Sequence, residues 1–117
     1  MANNIHPAGT TNILASSSTG PGSWFRLHPA VRAPTVQMTL TGSSVGVLIS
    51  GVANIEVSND GINPCQTLAG TITLSSLASP TADGFALVAH WEYMRANLQS
   101  ISSGAASVVV SAGNQGV

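Results

Sequence analysis

A chain of 117 residues makes one domain around a single hydrophobic core. It carries three arginines, no lysine, four acids and a net charge of -1, which excludes attraction to nucleic acid by counterion release, since that needs clustered basic side chains. The lone Cys65 excludes an internal disulfide, and the opening "MANNIHPAGTTNIL" lacks the basic and apolar regions of a secretory signal, so a soluble product folded in a reducing cytoplasm is expected.

Residues 1–22 are polar, and the Ser/Gly/Pro cluster "ASSSTGPGS" (15–23) marks their end. They are expected to form an N-terminal arm or edge element, with "TNILA" as a short strand, ahead of a β-sandwich domain over 23–117. From there the apolar period is two. In "PTVQMTLTG" Val36, Met38 and Leu40 alternate with hydroxyl and amide side chains, which predicts a strand with one face in the core. "VGVLISGVANIEVS" continues with Ile49, Gly51, Ala53, Ile55 and Val57 in one phase, and Gly51 predicts a bulge or bend.

The stretch "VSNDGINP" that follows is read as the tight turn of a hairpin, because Asn-Asp-Gly supplies residues that tolerate positive φ. A calcium loop needs a ladder of acids, and Asp60 is the only one here. "CQTLAGTITLSSL" predicts the next strand, with Cys65 as a small buried residue at its start. "FALVAHWEYMRANLQSI" reads as one long strand rather than a helix, since Phe85, Leu87, Ala89, Trp91 and Tyr93 fall on alternate positions. Polarity switches near Met94, where the strand is expected to leave one environment for another. "GAASVVVSAG" closes the series before a flexible "NQGV" tail. Seven or eight short strands without a helix predict an all-β fold: an antiparallel two-sheet sandwich, jelly-roll-like, with the N-terminal arm.

Chemistry-bearing patterns are sparse. His6, His28 and His90 lack the paired spacing of a zinc motif, and no stretch approaches the ~20 apolar residues of a membrane helix. Of the four acids, Asp60 and Asp83 each precede glycine, which reads as a chain reversal, and Glu92 is a candidate strand-end partner for Arg95, although three-residue spacing on a strand puts the two on opposite faces. No G-x-S-x-G elbow or phosphate loop occurs. Trp24, Phe25, Trp91 and Tyr93 either fill the core or form a sugar-stacking platform, and their strand phase favours the core. No catalytic residue, metal site, cofactor or enzyme activity is expected.

Four segments, "GSWFRL", "IEVSNDGIN", "DGFALVAHWEYMRANL" and "SVVVSAG", together resemble small β-sandwich structural proteins of tailed bacteriophages. In those chains an S-N-D-G loop is followed later by a strand reading roughly W-x-Y-x-R-x-N, matched here by Asp60, Gly61, Trp91, Tyr93, Arg95 and Asn97. Pro64-Cys65 departs from the aromatic that often follows the loop. Within that group the chain looks most like capsid decoration, or cement, proteins. The resemblance implies a virion protein on the outer surface of the capsid, made in the host cytoplasm, that bridges major capsid protein subunits as a homo-oligomer, with a trimer favoured and no nucleic acid or membrane as partner. Candidate partner contacts are Ile5, His6, Ile13, Leu14, Trp24, Arg26 and Arg32, on the arm and the first sandwich residues. The alternatives are a glycan- or host-binding module and a minor tail or baseplate structural protein.

Overall fold

A computed structural model describes residues 3–5, 9–16, 18–27, 35–42, 46–77, 80–87, 91–102 and 105–114. They form ten strands: β1 (Asn3–Ile5), β2 (Gly9–Ser16), β3 (Gly20–Pro21), β4 (Phe25–Leu27), β5 (Thr35–Gly42), β6 (Ile49–Ser58), β7 (Gly70–Ser76), β8 (Thr81–Ala86), β9 (Tyr93–Ile101) and β10 (Ala105–Asn114). A six-stranded sheet runs β1-β4-β9-β6-β7, with β3 also paired to β9, and a four-stranded sheet runs β2-β10-β5-β8. All pairings are antiparallel except β1 with β4. The fold is all-β, and the two sheets pack face to face.

The alternation read from sequence builds the core. Val36, Met38 and Leu40 of β5 are buried, as are Ile49, Ala53, Ile55 and Val57 of β6 and Ile72 and Leu74 of β7. Met94, Ala96 and Leu98 of β9 complete the inner face of the larger sheet. Sequence and structure agree on these strands because each has one wet face and one dry face, the arrangement that period two encodes. The described part of residues 1–22 runs along sheet margins: β2 is the edge strand beside β10, and its Ile13 is buried in the core at 3% exposure.

Three expectations are corrected. The run from Phe85 to Ile101 is two strands in different sheets, because β8 pairs with β5 and β9 pairs with β6. Its inward phase changes with the crossing, from Leu87 to Met94, Ala96 and Leu98, so Tyr93 sits on the outer face. Asp83-Gly84 lies inside β8, not at a reversal. The strand after the "NDGINP" loop starts at Gly70, which leaves Cys65 in the loop, half-buried against the core. The bulge expected at Gly51 falls beside it: register shifts between Val52 and Ala53, where β9 has Gln99 as an extra residue.

Candidate functional site

The outer face of the larger sheet collects the half-buried polar side chains. Period two sends Tyr93, Arg95 and Asn97 of β9 outward, and likewise Asn54 and Glu56 of β6. Pairing then sets Arg95 opposite Glu56 and Asn97 opposite Asn54 on β6, with Thr71 of β7 on the far side of Asn54. Arg95 Nε donates to Glu56 Oε1, and Asn97 Nδ2 donates to Glu56 Oε2 at 3.1 Å, so one carboxylate ties two positions of the neighbouring strand. One row further, Thr71 Oγ1 donates to Asn54 Oδ1 at 3.0 Å.

Arg95 is also stacked. Its guanidinium carbon lies 4.5 Å from the centroid of the Trp24 ring, a cation–π contact that covers one face of the indole. The Arg95 and Glu56 side chains retain 18% and 12% exposure, so their attraction is far less screened than that of the second pair, Arg26 with Glu92 at 3.5 Å and 54% and 47% exposure. Arg95 therefore pairs with Glu56, not Glu92. The expected partner fails because residues three apart on a strand face opposite ways.

The loop after β6 closes over this face. Asp60 Oδ1 accepts from the Ser58 hydroxyl at 2.7 Å and from the backbone N–H groups of Ile62 and Asn63 at 2.8 Å each, while Oδ2 accepts from Asn63 Nδ2 at 3.0 Å. The Ser58 hydroxyl, followed by the amides of Asn63 and Ile62, holds the Asp60 carboxyl well below the usual carboxylate range. The turn is thus built by a carboxylate that gathers donors. Positive φ occurs at Gly61 alone among its residues, at +69°. A Cβ there would lie 3.2 Å from the Tyr93 ring, so the glycine both makes the turn and seats the aromatic. Asn59 Oδ1 accepts from the Glu92 N–H at 3.4 Å, a second link from the loop to the start of β9.

At one end of the sandwich a cavity of about 720 Å³ is lined by Val57, Cys65, Leu68, Ala69, Leu87 and Trp91, a mostly apolar set. Phe25 is the aromatic that the core absorbs; Trp24, Trp91 and Tyr93 are half-buried. The candidate partner contacts scatter. Trp24 and Arg26 flank the outer face of the larger sheet, Leu14 packs half-buried against the core, and Ile13 lies inside the core, where no partner reaches it. Ile5 ends β1, while His6 and Arg32, like His28 and His90, lie outside the described residues.

Glu56, Asn54 and Thr71 were missed as members of this face. Their polar phase was visible in sequence, but the register that joins them was not. Among the described residues no three His, Cys, Asp or Glu side chains come together in a metal-ligating group, and no helix is long and apolar enough to cross a membrane. No protein-family model matches the chain, and neither the curated proteins nor the solved structures contain a match.

Proposed function

We propose that the chain is a non-enzymatic structural protein of a bacteriophage particle that decorates the capsid and bridges major capsid protein subunits, as a trimer. The observation that carries this proposal is the convergence of the residues behind the phage resemblance. Gly61 lies under the Tyr93 ring, Asn59 holds the start of β9, and Glu56, from the segment that leads into the loop, binds Arg95 and Asn97. Residues more than thirty positions apart in sequence form one unit. That favours a shared device over unrelated turn residues and valine-rich strands. The strand orders β2-β10-β5-β8 and β4-β9-β6-β7 support a jelly-roll connectivity.

The chemistry of the outer face suits docking to protein. It presents amides, hydroxyls and a neutralised ion pair with little net charge, so it meets another surface through many hydrogen bonds at small electrostatic cost. Repetition over a symmetric shell multiplies modest single-site affinity. The test is the copy number of the chain relative to the main shell protein, by quantitative mass spectrometry of purified particles. Comparable copies support decoration, a small minority of copies points to tail or baseplate, and absence from particles overturns the proposal.

A second reading, a glycan-binding module, draws on the half-exposed Trp24 and Tyr93 beside Asn97 and Glu56. Glycan-array binding lost in Trp24→Ala supports it; an array without signal removes it.

A further inference from the structure

The chain contains two Asp-Gly pairs, Asp60-Gly61 and Asp83-Gly84, identical in covalent structure and opposite in surroundings. In an Asp-Gly pair the glycine amide nitrogen can attack the aspartate side-chain carbon. The N–Cγ bond forms, the amide proton and the OH of the protonated carboxyl group leave together as water, and a succinimide ring results. Water then opens the ring at either carbonyl, regenerating aspartate or producing isoaspartate, with no net change in mass. Glycine favours the attack because it has no side chain to hinder the approach.

We propose that Asp83 is a site of spontaneous conversion to isoaspartate in the folded protein, whereas the fold protects Asp60. At Asp83 the nucleophile and the carboxyl group are already in contact, since Gly84 N–H lies 2.8 Å from Asp83 Oδ1. Asp83 is exposed, and β8 is the edge strand of its sheet, so the reacting atoms meet water and few neighbours need to move. At Asp60 every participant is engaged elsewhere. Gly61 N–H donates to the Ser58 hydroxyl at 3.2 Å, which directs the nucleophile away from its own aspartate. Both carboxyl oxygens accept hydrogen bonds from Ser58, Ile62 and Asn63. The carboxyl there is held in its ionised form, the poorer electrophile.

Isomerisation at Asp83 reaches the fold through Gly84. An isoaspartyl link adds one methylene to the backbone at a point where space is short: a Cβ on Gly84 would come within 2.1 Å of the Val36 carbonyl oxygen of β5. The lengthened backbone cannot keep the pairing of Gly84 with Gln37 and of Phe85 with Val36, so β8 loosens from β5.

The experiment ages the intact protein at 37 °C and mildly acidic pH, in buffer and in parallel in concentrated urea. Isoaspartate is counted with a protein isoaspartyl methyltransferase and located by fragmentation that distinguishes the two linkages. In buffer, accumulation at Asp83 should exceed that at Asp60 roughly tenfold or more, the rate ratio for each ~1.4 kcal/mol of barrier that the Asp60 hydrogen bonds add. In urea the two sites should react at comparable rates, and Asp83→Glu should abolish most of the signal in buffer. Equal rates in buffer, a faster Asp60, no isoaspartate at Asp83, or the same imbalance in urea would each overturn the proposal.

Discussion

Arg95 and Glu56 stand opposite each other on β9 and β6, and their ion pair is roofed by the indole of Trp24 on the arginine side. The geometry makes Glu56 dependent on Arg95. If the guanidinium is removed, a carboxylate with little access to water keeps Asn97 as its side-chain partner.

Arg95→Met is therefore expected to destabilise the fold by roughly 1.5–3 kcal/mol, the worth of a hydrogen bond to a charged group. Arg95→Lys should restore part of this, because it keeps the charge and loses the planar fork that lies over Trp24. Arg26→Ala, which breaks the exposed pair with Glu92, should cost less than about 1 kcal/mol. Urea unfolding with an unchanged m-value reads all three; equal losses for Arg95→Met and Arg26→Ala would remove the special standing of the sheltered pair.

The Asp60 loop gives stability a defined dependence on acid. A carboxyl whose folded pKa is depressed contributes stability that is fully present above the unfolded value, about 4 for aspartate, and is lost as pH falls toward the folded value. Urea midpoints measured from pH 5 to pH 2 should fall in the wild type and fall less steeply in Asp60→Asn. Parallel curves for the two proteins would mean that the carboxylate does not act through ionisation.

Ile13 tests the role of the N-terminal residues. Its burial predicts that Ile13→Ala costs ~2–5 kcal/mol, in the range of other large-to-small core changes. Removal of residues 1–16 as a dispensable arm would leave the sandwich folded. With β2 paired to β10, the truncated chain should instead melt at lower temperature and self-associate through the bared β10 edge, as seen by circular dichroism and size-exclusion chromatography. A wild-type melting curve for the truncated chain would mean that residues 1–16 form an arm that the sandwich does not need.

The tryptophans separate two environments. Trp91 lines the apolar cavity and packs against the core, so Trp91→Ala is expected to cost about 1–3 kcal/mol, less than a fully buried tryptophan. Acrylamide should quench both single-tryptophan variants, Trp24→Phe and Trp91→Phe, to an intermediate degree. Complete protection of either residue would put it in the core.

The sequence made β5, β6 and β7 readable because Val36, Met38, Leu40, Ile55, Ile72 and Leu74 each alternate with polar residues on a half-buried strand. The break between Phe85 and Met94 was legible only as a change of polarity. Alternation reports which face of a strand is dry, and it is silent on which sheet supplies the partner. The same limit hid the outer face. Glu56 and Arg95 lie thirty-nine residues apart, and their meeting depends on the β6–β9 register. Asp83 shows a different limit: Asp-Gly is a local turn signal, and the pairing of β8 with β5 overrides it.

Of the described strands, only β6 and β7 are both consecutive in the chain and hydrogen-bonded to each other. Every other pairing joins strands that are not consecutive, so nearly all of the fold must be assembled over long loops closed against chain entropy. Folding times on the order of milliseconds to seconds are expected for such a topology. β2 takes its place against β10, the last of the described strands in chain order. During synthesis it has no strand partner until β10 has emerged, and the smaller sheet is completed only then.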